Sequence, residues 1–289
     1  MKHYWINIDS SVERRVFMEE QFKNNELANV RVSAITPKDF DDVLEDKRPL
    51  TCKHPGCVRC EYEYACISSH IKAMIEGLKD EDNEWFVVME DDIVIPFEIN
   101  YNKMLSELPK DAQLVQLLIL YGSTVKALYN LSLTHNINFI KWQYLLPSTG
   151  MYIISREGAK ILVGKYFNSK NNKYDFTSCE YQVVADVALY STINSYATTF
   201  PFAYPNIDLV SEIHPEHYEA HKQTYLDIKE VIDYAVNKAN AANADANADA
   251  NADANAANAN ANANATEPTP IPYTHSRSIS SLACPPSPP

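Results

Sequence analysis

Glu84-Trp85-Phe86-Val87-Val88-Met89-Glu90-Asp91-Asp92-Ile93-Val94-Ile95-Pro96 is the stretch whose reading decides the fold. The unbroken apolar run from Trp85 to Met89, rich in β-branched and aromatic residues, predicts a parallel strand buried on both faces. It stops at Glu90, Asp91 and Asp92. Three carboxylates at the end of a buried strand repel one another and resist desolvation, so a compensating charge is required, and a divalent cation is the simplest one. Open α/β sheets bind ligands outside the carboxyl ends of their strands, where this triplet falls. The competing reading of the triplet alone is a solvated turn with N-capping acids.

Working outward toward the N-terminus, His3 to Asp9 reads as a first strand. Ser10-Ser11-Val12-Glu13 has the form of a capping box, and Val12, Phe17 and Phe22 mark a helix to about Lys23. Arg14 and Arg15 fall in its first turn, where the helix dipole disfavours cations, so an arginine there reaches a phosphate or a carboxylate, or the two form a solvated pair. Val30 to Ile35 reads as a second strand. The acidic, proline-marked stretch that follows leads to Cys52, His54, Cys57 and Cys60, which offer most of a tetrahedral zinc site. No second C-x-x-C follows at the usual spacing, and ordinary loop thiols are the simpler reading. From Glu61 to Lys79 the stripe Ile67, Ile71, Met74, Ile75 and Leu78 predicts a helix with Cys66, Ser69 and His70 near its start; His70 reads as a packing residue, or Ser69 and His70 line the same cleft as the acidic triplet.

Toward the C-terminus, Tyr101 to Leu108 reads as a helix closed by Pro109, Leu114 to Leu120 as a second central strand, and Met151 to Ser155 as a strand feeding a helix from Arg156. Tyr121 to Lys141 carries only a weak signal. Tyr181 to Tyr190 is helical and contains Asp186. In Ser211 to His221, a helix with Pro215 in its first turn places His217 and His221 on one face, just after His214, and continues to about Lys238. Beyond Ala239 the chain becomes an Asn-Ala-Asp repeat and then a Pro/Ser-rich end, which bury too little apolar surface to offset ordering entropy. The expected organisation is therefore one domain over residues 1–238, with a Cys-rich insertion near 50–61, and a disordered tail over 239–289.

The net charge of -13 argues against a protein that wraps nucleic acid. The N-terminal apolar stretch is too short for a signal peptide and no segment has the length of a membrane span, which makes a soluble cytoplasmic protein the default. None of the six glycines is spaced as G-x-G-x-x-G or G-x-x-x-x-G-K, so any nucleotide is held in another way.

Four motifs in order resemble glycosyltransferase family 25, which includes bacterial lipooligosaccharide sugar transferases and collagen galactosyltransferases. They are Ile6-Asn7-Ile8-Asp9 with Glu13-Arg14-Arg15; Ala65-Cys66-Ile67-Ser68-Ser69-His70; Val87 to Asp92; and Thr149-Gly150-Met151 to Ala159. The S-E-I-H segment at Ser211 is similar to members encoded by large DNA viruses, for which host cytoplasm or virion is the expected location. The departures are Ile8 in place of the usual leucine, Met151 at a position that is often small, the insertion at Cys52 to Cys60, and the tail.

The resemblance implies a GT-A-like (Rossmann-like) α/β fold, a mixed sheet flanked by helices that binds a nucleotide-sugar. It implies a metal-dependent, inverting transferase moving galactose or glucose from a UDP-sugar to a glycan or a hydroxylated protein side chain. Carried over by residue, Asp92 is the foremost ligand for Mn2+ or Mg2+, with Asp91 beside it and His214 completing the shell. Glu90 and Asp91 serve ribose or metal-bound water, Asn7 and Arg14 lie near the nucleotide, and Thr149 and Gly150 shape the sugar pocket. Asp186 is the candidate base or acceptor-binding residue, with Glu180 an alternative. The chemistry agrees, because sugar transfer needs a stabilised leaving diphosphate and a positioned base. Competing readings are a catalytically silent glycan- or nucleotide-binding module and an interaction protein stabilised by zinc at Cys52, Cys57 and Cys60.

Overall fold

The computed structural model describes residues 1–45, 60–179, 184–209, 218–238 and 240–241. The Cys52, His54 and Cys57 cluster, Glu180, His214, His217 and nearly all of the tail lie outside these residues, and of Cys60 only its helical backbone is described. The chain divides into Met1–Ala235 and Val236–Pro289. The strands are β1 (His3–Asn7), β2 (Asn29–Ser33), β3 (Trp85–Glu90), β4 (Ile93–Val94), β5 (Leu114–Gln116), β6 (Phe139–Lys141), β7 (Met151–Ser155), β8 (Phe167–Asn168), β9 (Lys173–Tyr174), β10 (Ser195–Thr198) and β11 (Tyr204–Pro205). The helices are α1 (Val12–Asn24), α2 (Phe40–Val43), α3 (Cys60–Leu78), α4 (Tyr101–Ser106), α5 (Gly122–His135), α6 (Arg156–Tyr166) and α7 (Ala185–Tyr190), and residues 218–235 form a last helix in this unit.

Seven strands make one sheet in the order β2-β1-β3-β7-β5-β10-β6. β1 pairs in parallel with β2 and β3, whereas β7 runs antiparallel to both β3 and β5. β10 is parallel to β5 and antiparallel to β6. The expected GT-A-like mixed sheet flanked by helices is borne out. The expectation that the β3 run pairs in parallel holds on the β1 side only. Phe86, Val87, Val88 and Met89 are fully buried, but so are Met151 to Ile154 of antiparallel β7, and burial on both faces carries no information about direction.

Because side chains alternate along a strand, β3 feeds two cores. Phe86 and Val88 join Tyr4, Ile6, Tyr152 and Ile154 against α3, α6 and α7. Val87 and Met89 join Trp5, Met151 and Ile153 on the other face, covered by Met18 and Phe22 of α1, Tyr101 and Met104 of α4, and Ile228 and Ile232 of the last helix. α3 lies so close to the sheet that a Cβ on Gly77 would fall 2.5 Å from the Phe86 ring.

Several local expectations shift. The predicted capping box at Ser10 is absent: α1 begins at Val12, with Ser11 as N-cap and no side-chain cap bond, because a backbone turn takes Ser11 N to Ile8 O at 2.9 Å. The stretch Leu114 to Leu120 pairs as a strand only through Gln116, although Leu117, Leu118 and Ile119 remain buried. The weakly patterned stretch Tyr121 to Lys141 contains α5 and β6; among its α5 residues only Gly122 and Val125 are buried, which explains the faint periodicity.

Candidate active site

β1 and β3 run side by side and end together, with Ile6 opposite Glu90. The alternation that builds two cores also sends the terminal acids to opposite faces. Asp91 lies on the Asn7 side and accepts from Asn7 Nδ2 at 2.6 Å and from Arg14 Nη1 at 2.7 Å. Arg14 Nη1 also reaches Asp92 Oδ2 at 3.3 Å, and Nη2 donates to the Leu209 carbonyl at 3.4 Å. The arginine in the first turn of α1 therefore binds carboxylates rather than standing in solvent. Asn7 is itself fixed, since Arg31 Nε donates to its Oδ1 at 2.9 Å and its Nδ2 donates to the Ser11 carbonyl at 3.2 Å.

Glu90 points to the α3 face. Its Oε1 accepts from Thr149 Oγ1 at 2.7 Å and lies 3.4 Å from His70 Nε2, whose Nδ1 is 3.1 Å from Tyr152 Oη. Ser69 is taken up structurally, donating to Ala65 O at 2.7 Å and accepting from Ile35 N at 2.8 Å. Thr149 is presented by a backbone turn with Ser148 at φ 119°, a conformation that a residue other than glycine rarely adopts. Gln116 Nε2 and Tyr190 Oη hold the Ser148 carbonyl at 2.8 and 2.9 Å, and Asp186 Oδ2 accepts from Ser148 N at 3.1 Å. Next to it, a Cβ on Gly150 would lie 2.9 Å from Ile93 Cδ1, so the turn packs directly on the chain leaving the acidic triplet.

The electrostatics reflect an excess of negative charge. Burial, with the charges of Glu90 and Asp91, outweighs Arg14 and pushes Asp92 up to about 7. Burial also raises Asp91 despite Arg14 and Asn7. For Glu90, burial acts upward, but the hydrogen bond and charge of His70, the Thr149 hydroxyl and Arg14 hold it below its ordinary value. Asp186 is raised by burial against its bonds from Ser148 N and Val187 N, and the charges of Glu63 and Glu90 add to the rise, which places it in the same electrostatic environment as the triplet.

Two recesses open on this cluster. A cavity of about 160 Å³ is lined by Ile6, Arg14, Thr36, Cys66, His70 and the acids Glu90 to Asp92. A smaller one of about 70 Å³ lies between Glu90, Asp92, Gly150, Asn206, Tyr218 and His221. Of the late histidines, His221 thus reaches the acidic end of the sheet. Asn7, Arg14, Glu90, Asp91, Asp92 and Thr149 meet directly, Gly150 borders the second recess and Asp186 anchors the neighbouring turn. Sequence reasoning did not find Arg31, Tyr152 or the Ser148 turn.

Asp91 and Asp92 against one guanidinium form an oxygen donor set suited to a hard divalent cation, so the residues fit the Mn2+ or Mg2+ that the family resemblance implies. Among the described residues no helix is long and apolar enough to cross a membrane.

Residues 1–178 match the sequence model of glycosyltransferase family 25 (LPS biosynthesis protein). No curated protein matches the chain. Among solved structures it is similar to A197 from STIV, at 12% identity and a TM-score of 0.36, over 70% of this chain and 83% of that one. It is also similar to a glycosyltransferase involved in the glycosylation of the major capsid of PBCV-1, at 10% identity and a TM-score of 0.33, over 76% and 89%. A third is the galactosyltransferase LgtC in complex with donor and acceptor sugar analogs, at 9% identity and a TM-score of 0.34, over 68% and 73%.

Proposed function

The chain belongs to glycosyltransferase family 25, and from that premise we propose that it moves galactose or glucose from a UDP-sugar to a hydroxyl of a glycan or a hydroxylated protein side chain, with inversion at the anomeric carbon. The observation that carries the reading is the contact of Asp91 and Asp92 with Arg14, and of Asp91 with Asn7, beside Glu90 in the lining of the larger cavity. Asp92 and Asp91 would hold Mn2+ or Mg2+, which supplies Lewis-acid neutralisation of the leaving diphosphate. His214 would complete that shell, and His221 stands beside Asp92 in the smaller recess. Arg14 adds fixed positive charge next to the phosphates. Asn7, locked by Arg31, orients the nucleotide end, and Thr149 and Gly150 border the sugar.

The acceptor oxygen attacks the anomeric carbon as the bond to the diphosphate breaks, and the acceptor proton passes to a base. Asp186 is the candidate for that role, because burial raises its carboxyl above its ordinary value and two backbone N–H groups fix its orientation. Glu180 is the alternative base. A second reading is favoured by the contact of Arg14 with both aspartates: the guanidinium supplies the positive charge beside the diphosphate, and transfer proceeds without an ion.

The test is UDP release from a panel of UDP-sugars with Mn2+, with and without EDTA, in the wild type and Asp92→Ala. Release confined to one sugar, abolished by EDTA and by the substitution, supports the first reading. Release unaffected by EDTA selects the second, and neither turnover nor nucleotide binding refutes both.

A further inference from the structure

On the α3 face of the sheet, Cys66 and His70 stand one helical turn apart and point toward Glu90. One ligand atom from each lies within 4.8 Å of the others. We propose that Cys66 Sγ, His70 Nε2 and a Glu90 carboxylate oxygen form a site for a borderline-soft divalent ion of the Zn2+, Co2+ or Cd2+ class, separate from the hard-cation seat at Asp91 and Asp92.

Three observations support it. Thiolate and imidazole select such ions over Mg2+ or Mn2+, which take oxygen ligands. His70 Nε2 and Glu90 Oε1 are 3.4 Å apart, close to the separation of roughly 3.3 Å that two ligands take across a tetrahedral zinc with bonds of about 2.0–2.1 Å. Cys66 Sγ lies within 4.8 Å of both other ligand atoms and completes the set by moving toward them as the ion binds. Both nitrogen and carboxylate are also held from behind, as metal ligands commonly are. Nδ1 lies 3.1 Å from Tyr152 Oη, and the tautomer with its proton on Nδ1 is the one that would ligate through Nε2, while Thr149 Oγ1 donates to Glu90 at 2.7 Å. The fourth position opens into the cavity of about 160 Å³ that these three residues help to line. On binding, the S–H bond breaks, its proton passes to solvent, and a sulfur–metal bond forms; no oxidant or reductant takes part.

The site does not depend on the sugar-transfer reading, so the test uses no sugar. The full chain is titrated with Co2+ and followed by the near-ultraviolet thiolate-to-cobalt charge-transfer band and the visible bands of a tetrahedral centre. One thiolate-ligated Co2+ per chain is expected, with the charge-transfer band kept in a Cys52→Ser, Cys57→Ser, Cys60→Ser variant and in Asp92→Ala, and lost in Cys66→Ser. Tyr152→Phe is expected to weaken binding roughly 10- to 100-fold by freeing the imidazole. In the unaltered protein, Zn2+ but not Mg2+ is expected to slow alkylation of Cys66, mapped by mass spectrometry, a readout that needs no variant to fold. Absence of the charge-transfer band, its survival in Cys66→Ser, or alkylation of Cys66 unchanged by saturating Zn2+ would overturn the proposal.

Discussion

Replacing Arg14 by methionine tests the charge balance on which the site reading rests. The side chains of Arg14, Asp91 and Asp92 are only 12%, 10% and 18% exposed, so their contacts are largely desolvated. Removing one partner of such a group leaves uncompensated buried charge and costs about 3–5 kcal/mol. Asp91 retains Asn7, and the carboxyls can take up a proton, which places the expected loss near the lower end, about 3 kcal/mol. For a unit of this size that corresponds to a fall in melting temperature of roughly 6–12 °C. The assay is urea denaturation in EDTA, repeated with Mn2+. A cation that binds the folded state alone adds about 2.7 kcal/mol at one hundred times its dissociation constant. Because the variant has lost its built-in positive charge, Mn2+ should stabilise it more than the wild type at the same concentration. A loss under about 1 kcal/mol in EDTA would mean that the pair behaves as a solvated one, an equal Mn2+ effect in both proteins would refute the coupling to Arg14, and no Mn2+ effect in either would refute the cation seat.

Asp186→Asn is expected to lower kcat by about 10²–10⁴ with little change in KM if Asp186 takes the acceptor proton; a raised KM with kcat unchanged in the sugar-transfer assay refutes that role. His3 is buried, with its ring nitrogens 3.2 Å from Ala28 O and 2.9 Å from Tyr101 Oη, and burial lowers its pKa to about 4. Its folded pKa lies below the unfolded value, so its contribution is complete above about pH 6.5 and is lost as the pH falls toward 4, amounting to roughly 3 kcal/mol. Urea titrations at about pH 7 and about pH 4 should show that drop shrinking by this amount in His3→Gln; an identical drop counts against it. Gly77→Ala forces a methyl to within 2.5 Å of the Phe86 ring and should cost about 1–3 kcal/mol, read from the urea midpoint; an unchanged midpoint would show that α3 can move away from the sheet.

The parts of the fold that sequence exposes are those where burial alone decides the pattern. The runs in β3 and β7 and the α3 stripe of Ile67, Ile71 and Met74 are fully buried, and each reads directly as strand or helix. Direction is different in kind, since the ladder between Met89 and Met151 is antiparallel while that between Ile6 and Glu90 is parallel, and both involve the same apolar residue types. α5 shows the opposite case, a helix held by few buried side chains and therefore faint in its periodicity. At the site, the oddity of Arg14 in a first helical turn was legible, but its carboxylate partners lie 77 and 78 residues away and only the adjacency of β1 and β3 brings them together. Thr149 was placed by family resemblance. The strained Ser148 turn that aims its hydroxyl at Glu90 has no sequence signature, because the bonds that sustain it come from Gln116, Tyr190 and Asp186 on separate elements.

The pleat of β3 gives the acidic triplet two chemistries. A strand carries alternate side chains to opposite faces, so consecutive acids at its end take different hydrogen-bond partners. Glu90 follows Phe86 and Val88 to the α3 side, where imidazole, thiol and hydroxyl surround it; Asp91 follows Val87 and Met89 to the α1 side, where guanidinium and carboxamide do. Asp92, two residues past the end of the strand, borders both recesses, as Glu90 does. The triplet therefore divides by position: Asp91 and Asp92 form the oxygen-rich side suited to a hard cation and a diphosphate, and Glu90 forms the nitrogen- and sulfur-bearing side. A substitution at Glu90 that keeps its shape, Glu90→Gln, should accordingly disturb the Cys66 and His70 side while leaving the Asn7–Asp91–Arg14 contacts in place. The two halves of the cluster can thus be assigned separately.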